Sequence, residues 1–230
     1  KEGILSVTAG TGGFLVAALN EVPSNLEQDV ICNVSSVKGQ YILESSVLTC
    51  CSAFDWFKRE FYGNCSYDEL NRDIASVPPG SHGCLCLPYF QGRSTPDWNS
   101  QARGVFSNIT LGTTRADMLR GLLEGICYEI SNGIEAMKKY VELSEICVNG
   151  GLTNSEPFNQ IQSDVYGTPI VRRGKSDATA RGAFMVAAAE MGVYRSVEEA
   201  FRMLKKNSEE RIYVPSEAYT GLYREAREQM

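Results

Sequence analysis

The chain is poor in histidine, in basic residues and in long apolar runs. One histidine, His82, stands among 230 residues. It sits in the turn-like PPGSHG, where it reads as a solvated side chain with no chemical role. No apolar run approaches the roughly 20 residues a membrane-spanning helix needs. KEGILSV at the N-terminus offers no long apolar stretch and no small-residue cleavage site, so it does not read as a secretory signal. The sequence also starts without Met, directly on a strand-like segment, which reads as part of a longer protein. Lys and Arg total 22 against 28 Asp and Glu, for a net charge of −6 and a pI near 5.0. That balance argues against a nucleic-acid partner, which usually demands a basic face. The eight cysteines are Cys32, Cys50, Cys51, Cys65, Cys84, Cys86, Cys127 and Cys147. None forms a CxxC pair, so neither a zinc nor a thioredoxin-like site is indicated. Reduced core thiols in a cytoplasmic protein are expected.

What is present suits a globular domain: 43% hydrophobic residues on a chain long enough to bury a sizeable core. ILSVTAG and FLVAAL flank the glycine-rich AGTGG and read as a hairpin. VICNV and QYILES read as a second strand pair. From Thr49 to Phe61, Ala53, Phe54, Phe57 and Phe61 recur at helical spacing. Ser66 with Glu69, and Thr114 with Asp117, are capping-box signatures opening two further helices. The second runs to about Tyr140, with Leu119, Leu122, Leu123, Ile126, Cys127, Ile130, Ile134 and Met137 on one face. CLCLPYF is a short strand in a loop-rich stretch. ICV, a helix over 156–166 ending at Gly167, the strand PIVR and the helices ATARGAFMVAAAEMG and SVEEAFRMLKK complete the pattern. Hairpins followed by alternating strands and helices predict an α/β domain with a mixed sheet and flanking helices.

Two glycine corners could carry chemistry. AGTGGF, Ala9 to Phe14, could present backbone N–H groups and the Thr11 hydroxyl to an anion, or simply turn the chain. VNGGLTNSEPF places Gly150 and Gly151 between a strand and a helix opened by Thr153, Asn154 or Ser155. The missing side chains there could admit a ring or a phosphate, or only permit tight packing. Asp97, Glu124 and Asp164 could do acid–base work, but no partner is visible for any of them.

Taken in order, LPYFQGRSTPDWNSQARGVF, ADMLRGLLEGICYEI, VNGGLTNSEPFNQIQSDVYGTPIV and DATARGAFMVAAAEMGVY resemble the C-terminal domain of the FGGY carbohydrate kinases. The resemblance covers essentially the whole chain, 1–230. LPY…ARG is similar to the xylulokinase branch, and AGTGGF to glycerol kinase. It implies an actin-like ATPase (ribonuclease H-like) domain carrying the ATP half of a two-domain enzyme. The phosphate hairpin would comprise Gly10, Thr11 and Gly12. Gly150, Gly151 and Asn154 would hold the adenosine, and Cys51, Phe54 and Asp55 would lie beside the nucleotide. Phe14 falls where glycerol kinase has a Phe near its substrate. Cys51 replaces a usual Gly, Asn108 another Gly, and Gly121 an Ala or Ser, the last two being changes that packing could absorb. The resemblance also implies ATP and Mg²⁺ as cofactors and a sugar or polyol substrate held by an N-terminal domain outside this chain. A general-base Asp is expected upstream of Lys1. We expect no metal ligands in the chain itself, no membrane partner and a homodimer. A non-catalytic actin-like nucleotide-binding module is the alternative.

Overall fold

The computed structural model describes residues 3–174, 178–205 and 209–228. Asp177, which opens the DATARG motif, and Lys206, at the end of SVEEAFRMLKK, lie outside them. Nine strands are described: β1 (Ile4–Ala9), β2 (Gly13–Leu19), β3 (Ile31–Val34), β4 (Tyr41–Val47), β5 (Leu85–Leu87), β6 (Val105–Ser107), β7 (Glu145–Asn149), β8 (Ile170–Arg173) and β9 (Glu210–Tyr213). Seven of them form one sheet in the order β3-β4-β2-β1-β7-β8-β9, and β5 and β6 form a small second pair. β1 runs antiparallel to β2 and parallel to β7, and β7 runs parallel to β8. The expected mixed sheet is therefore present. β1, β7 and β8 all end at the same edge, and in open α/β sheets that edge is where ligands bind.

Seven α-helices are described: α1 (Cys51–Phe57), α2 (Tyr67–Ser76), α3 (Arg115–Lys138), α4 (Glu156–Tyr166), α5 (Ala178–Glu190), α6 (Val197–Lys205) and α7 (Glu217–Glu228). Both capping boxes form: Ser66 and Thr114 each accept from the backbone N–H three residues on, and Glu69 and Asp117 reach back. Each cap satisfies orphan donors at a helix start. Thr114→Ala is expected to cost about 1 kcal/mol, read as a lower urea midpoint at unchanged slope.

α3 departs from its one-faced pattern. The predicted apolar residues are all buried, but Arg120, Glu124, Tyr128 and Glu129 on other faces are buried too. The helix also packs against β5 and α4, and Tyr223 and Arg227 of α7 hydrogen-bond to it. Its glycines permit the approach of β5. A Cβ on Gly121 would lie 2.9 Å from the Cys84 carbonyl oxygen, and one on Gly125 would overlap the Cys86 backbone. Gly121 is thus required by packing, which corrects the expectation that the change is neutral. Asn108 has φ +57, a left-handed conformation that Asn tolerates better than other side chains, which accounts for Asn where the family uses Gly.

Three further expectations change. The helix predicted through Phe61 ends at Phe57 and continues as one wider turn, Lys58–Tyr62, leaving Phe61 partly exposed against Phe57. β6, β9 and α7 add to the predicted elements: the two strands span only three and four residues, whereas Tyr219, Leu222, Tyr223 and Ala226 of α7 do recur at helical spacing and were available to the sequence reading. All eight cysteines are free thiols, but only Cys50, Cys84, Cys86 and Cys127 are buried, while the other four are half-exposed.

Candidate functional site

At the carboxyl ends of β1, β7 and β8 lies a cleft of about 380 Å³. Gly10 lines it from the β1–β2 hairpin, and Asn149, Gly150, Gly151, Thr153 and Asn154 from the corner after β7. Thr8, Arg172 and Thr179 add polar side chains to its wall, with Gly174 and Ala178 beside them. A larger cavity, about 600 Å³, lies at Arg93, Asn132 and Lys139. Its charges are already committed: Arg93 to Glu129 at 3.0 Å, and Lys139 to Asp29 at 2.7 Å. The cleft is the better candidate because its cation, Arg172, has no carboxylate partner among the described residues and Gly151 leaves one side open.

The hairpin is anchored by its carbonyls. Thr11 O accepts from Cys50 N (3.0 Å), Ser52 N (3.2 Å) and Ser52 Oγ (2.9 Å), and Gly10 O accepts from Cys51 N (2.8 Å). These bonds cap the start of α1 and leave that helix no free first-turn amides to offer a ligand. The N–H groups of Thr11 and Gly12 have no partner among the described residues. Gly12 is needed by packing, since a Cβ there would lie 2.8 Å from Val47 O, whereas Gly10 meets nothing closer than 3.6 Å.

The second corner divides in the same way. Gly150 has φ +98, and its Cβ would lie 2.6 Å from the Ala9 carbonyl carbon and 2.9 Å from Ala9 N. It is a glycine because β1 passes against it. Gly151 is outside the left-handed region, is exposed, and would place a Cβ near only Cys51 Sγ, at 3.7 Å. Only Gly151 opens space to the cleft. A short turn, Gly151–Asn154, separates the glycines from α4, whose N-cap is Ser155. The turn is pinned where Thr153 donates twice to Gly150 O, from N (3.1 Å) and Oγ1 (2.7 Å), and where Asn159 Nδ2 donates to Thr153 O (2.8 Å). Across the cleft floor Thr8 Oγ1 donates to Asn149 Oδ1 (2.8 Å), and Asn149 Nδ2 to Ser6 Oγ (3.2 Å).

The structure brings Gly10, Gly150, Gly151 and Asn154 together and leaves other predicted site residues off the cleft wall. Cys51 stands at its border as the first residue of α1, with its thiol donating to Ala9 O at 3.1 Å. Cys50 behind it is held protonated, because its hydrogen bond to Cys51 and its complete burial both push its pKa well up. Phe54 is buried and stacked on Tyr67, Asp55 is exposed on α1, and Phe14 is exposed on β2.

The three candidate carboxylates are structural. Asp97 pairs with Arg93, and Glu124 with Arg120 at 2.8 Å. Asp164 accepts from Ser216 N at 2.8 Å, at the start of α7. His82 is exposed, but its Nδ1 is hydrogen-bonded to Asp117 at 2.8 Å. Thr8, Asn149 and Arg172 escaped the sequence reading. Their position at the ends of consecutive parallel strands was the available signal.

The seven-stranded mixed sheet, with a glycine hairpin and a Gly-Gly corner at one edge, has the actin-like (ribonuclease H-like) fold shared by the solved structures it superposes on. The family model described as "FGGY family of carbohydrate kinases, C-terminal domain" matches residues 5–191, so the chain belongs to that family. Relatives include the glycerol kinase of Saccharolobus islandicus (strain M.14.25 / Kamchatka #1), 29% identical over 219 residues, covering 93% of this chain and 43% of that protein. The glycerol kinase of Enterococcus casseliflavus is 27% identical over 228 residues, covering 97% and 45%. Among solved structures, a xyloylose kinase from Brucella ovis superposes with TM-score 0.87 at 21% identity, over 100% of this chain and 46% of that one. Plasmodium falciparum glycerol kinase with ADP gives 0.83 at 22%, over 100% and 46%. The chain spans less than half the length of the curated relatives it matches. No helix among the described residues is long and apolar enough to cross a membrane.

Proposed function

We propose that the cleft binds ATP and that the protein carrying this chain transfers the γ-phosphate to a hydroxyl of a sugar or polyol. One observation carries the reading. Gly10 of the hairpin and the open face of Gly151 line one cleft at the carboxyl ends of β1, β7 and β8, and the next two N–H groups of the hairpin, those of Thr11 and Gly12, have no partner among the described residues. Backbone donors held in a rigid hairpin suit phosphate oxygens, because they need no reorganisation when charge develops there. The exposed Gly151 leaves room for the flat base and ribose.

Mg²⁺ would neutralise phosphate charge when bound. Among the described residues no cluster of three His, Cys, Asp or Glu forms, so the ion would arrive on the nucleotide's phosphates. The chain's own part is to grip the phosphate donor and orient it. Cys51 at the border narrows the cleft where the family usually has Gly. Removing the acceptor's proton falls to the Asp expected upstream of Lys1, and choosing the acceptor to the N-terminal domain implied by the resemblance.

The full-length protein, given ATP with a panel of ketoses and polyols that includes xylulose and glycerol, is expected to release ADP with at least one of them. Glycerol kinases and xylulose kinases among the similar proteins motivate the panel. ATP binding with a silent panel would instead favour a non-catalytic nucleotide-binding module.

A further inference from the structure

Arg172 reaches the cleft as a half-buried guanidinium with no carboxylate partner among the described residues. Its neighbour Arg173 is paired with Glu145 at 2.7 Å and Glu210 at 2.9 Å. Successive strand residues point to opposite faces, so β8 pairs one charge away from the cleft and delivers the other into it. Arg172 Nη2 donates to Asn154 Oδ1 at 2.7 Å, and Nε approaches Thr153 Oγ1 at 3.4 Å.

A guanidinium only donates. Asn154 must therefore turn its oxygen to Arg172, and its Nδ2 has no partner among the described residues. The terminal amide torsion is broad and roughly two-fold, so without Arg172 the carboxamide could present either end to the cleft.

We propose that Arg172 is a positioning residue that locks Asn154 so that its two N–H donors face a purine nucleotide, whose base offers unprotonated ring nitrogens as acceptors. The inference rests on the nucleotide reading of the cleft and adds the class of base contact and the residue that fixes it.

The test is a double-mutant cycle on the full-length protein, with the Kd for MgATP measured by calorimetry. Arg172→Ala and Asn154→Ala are each expected to weaken binding about tenfold, as loss of one oriented hydrogen bond implies. The double variant should be no weaker than the worse single variant, because one residue acts through the other. Asn154→Asp keeps a partner for Arg172 but removes the donors, so it should bind no better than Asn154→Ala. Arg172→Lys, a single donor on a flexible stem, should recover part of the loss. Unchanged affinity in Arg172→Ala overturns the proposal. So does an additive loss of about 100-fold in the double variant, which would mean that Arg172 acts on the nucleotide independently. An unmutated protein that shows no heat with millimolar MgATP defeats the nucleotide reading itself, a different result from either of these.

Discussion

Gly151→Val is expected to weaken MgATP binding on the order of 100-fold while leaving the thermal midpoint of the nucleotide-free protein within about 2 °C. The backbone at Gly151 is one any residue can adopt, and a Cβ there meets only Cys51 Sγ at an ordinary contact distance. The added methyls would stand in the space assigned to adenosine, where overpacking by even a few atoms costs about 1–3 kcal/mol. Its neighbour supplies the control. Gly150→Ala forces an L side chain to φ +98 and drives its Cβ into Ala9. Backbone strain and overlap with a central strand together should cost about 3–5 kcal/mol and lower the melting temperature by about 10 °C. Calorimetric titration and thermal melts on both variants decide the matter. Should Gly151→Val melt as low as Gly150→Ala, the corner is a packing turn. Should it bind MgATP like the unmutated protein, the nucleotide lies elsewhere.

The second large effect is expected far from the cleft. Arg120 and Glu124 form a buried pair on α3, at 7% and 1% exposure. Arg120 also donates to Ile74 O (3.1 Å), Val77 O (3.0 Å) and Tyr223 Oη (2.9 Å). Glu124 accepts from Gly80 N (3.1 Å), Ser81 Oγ (2.8 Å) and Tyr223 Oη (2.8 Å). Burial, then the Glu124 charge, push the Tyr223 phenol well up, so it stays neutral and serves both partners. One network thus joins α2, α3, α7 and the loop at Gly80. Glu124→Ala would leave the Arg120 charge buried without its counter-ion, at a cost of about 3–5 kcal/mol. Arg120→Met with Glu124→Leu removes both charges and should cost less than Glu124→Ala alone, because no unpaired charge is left behind. Urea unfolding reads both results. A loss under about 1 kcal/mol in Glu124→Ala would show that water or a rearranged partner compensates, and that the network is not what holds α7.

Part of this molecule was legible in its sequence because the information was local. Two capping boxes, the apolar stripe of α3 and the strand–glycine–strand hairpin of β1 and β2 all act within a few residues, and each formed where its pattern lay. The order of four motifs, read as a resemblance, indicated the family that the family model then matched. Other features depend on which distant segments meet. Thr8 and Asn149, 141 positions apart, meet at the cleft floor, and Arg120 finds Tyr223 across 103. Gly121 looked substitutable until β5 was seen to cross it, and Glu124 looked like a possible acid until its partners arrived from α7 and the Gly80 loop. The Gly-Gly corner shows both kinds of information in adjacent residues. The sequence alone placed two glycines between a strand and a helix, because that punctuation is local. Only the tertiary structure separated them: Gly150 serves β1, which packs on it from 141 residues away, and Gly151 faces open space.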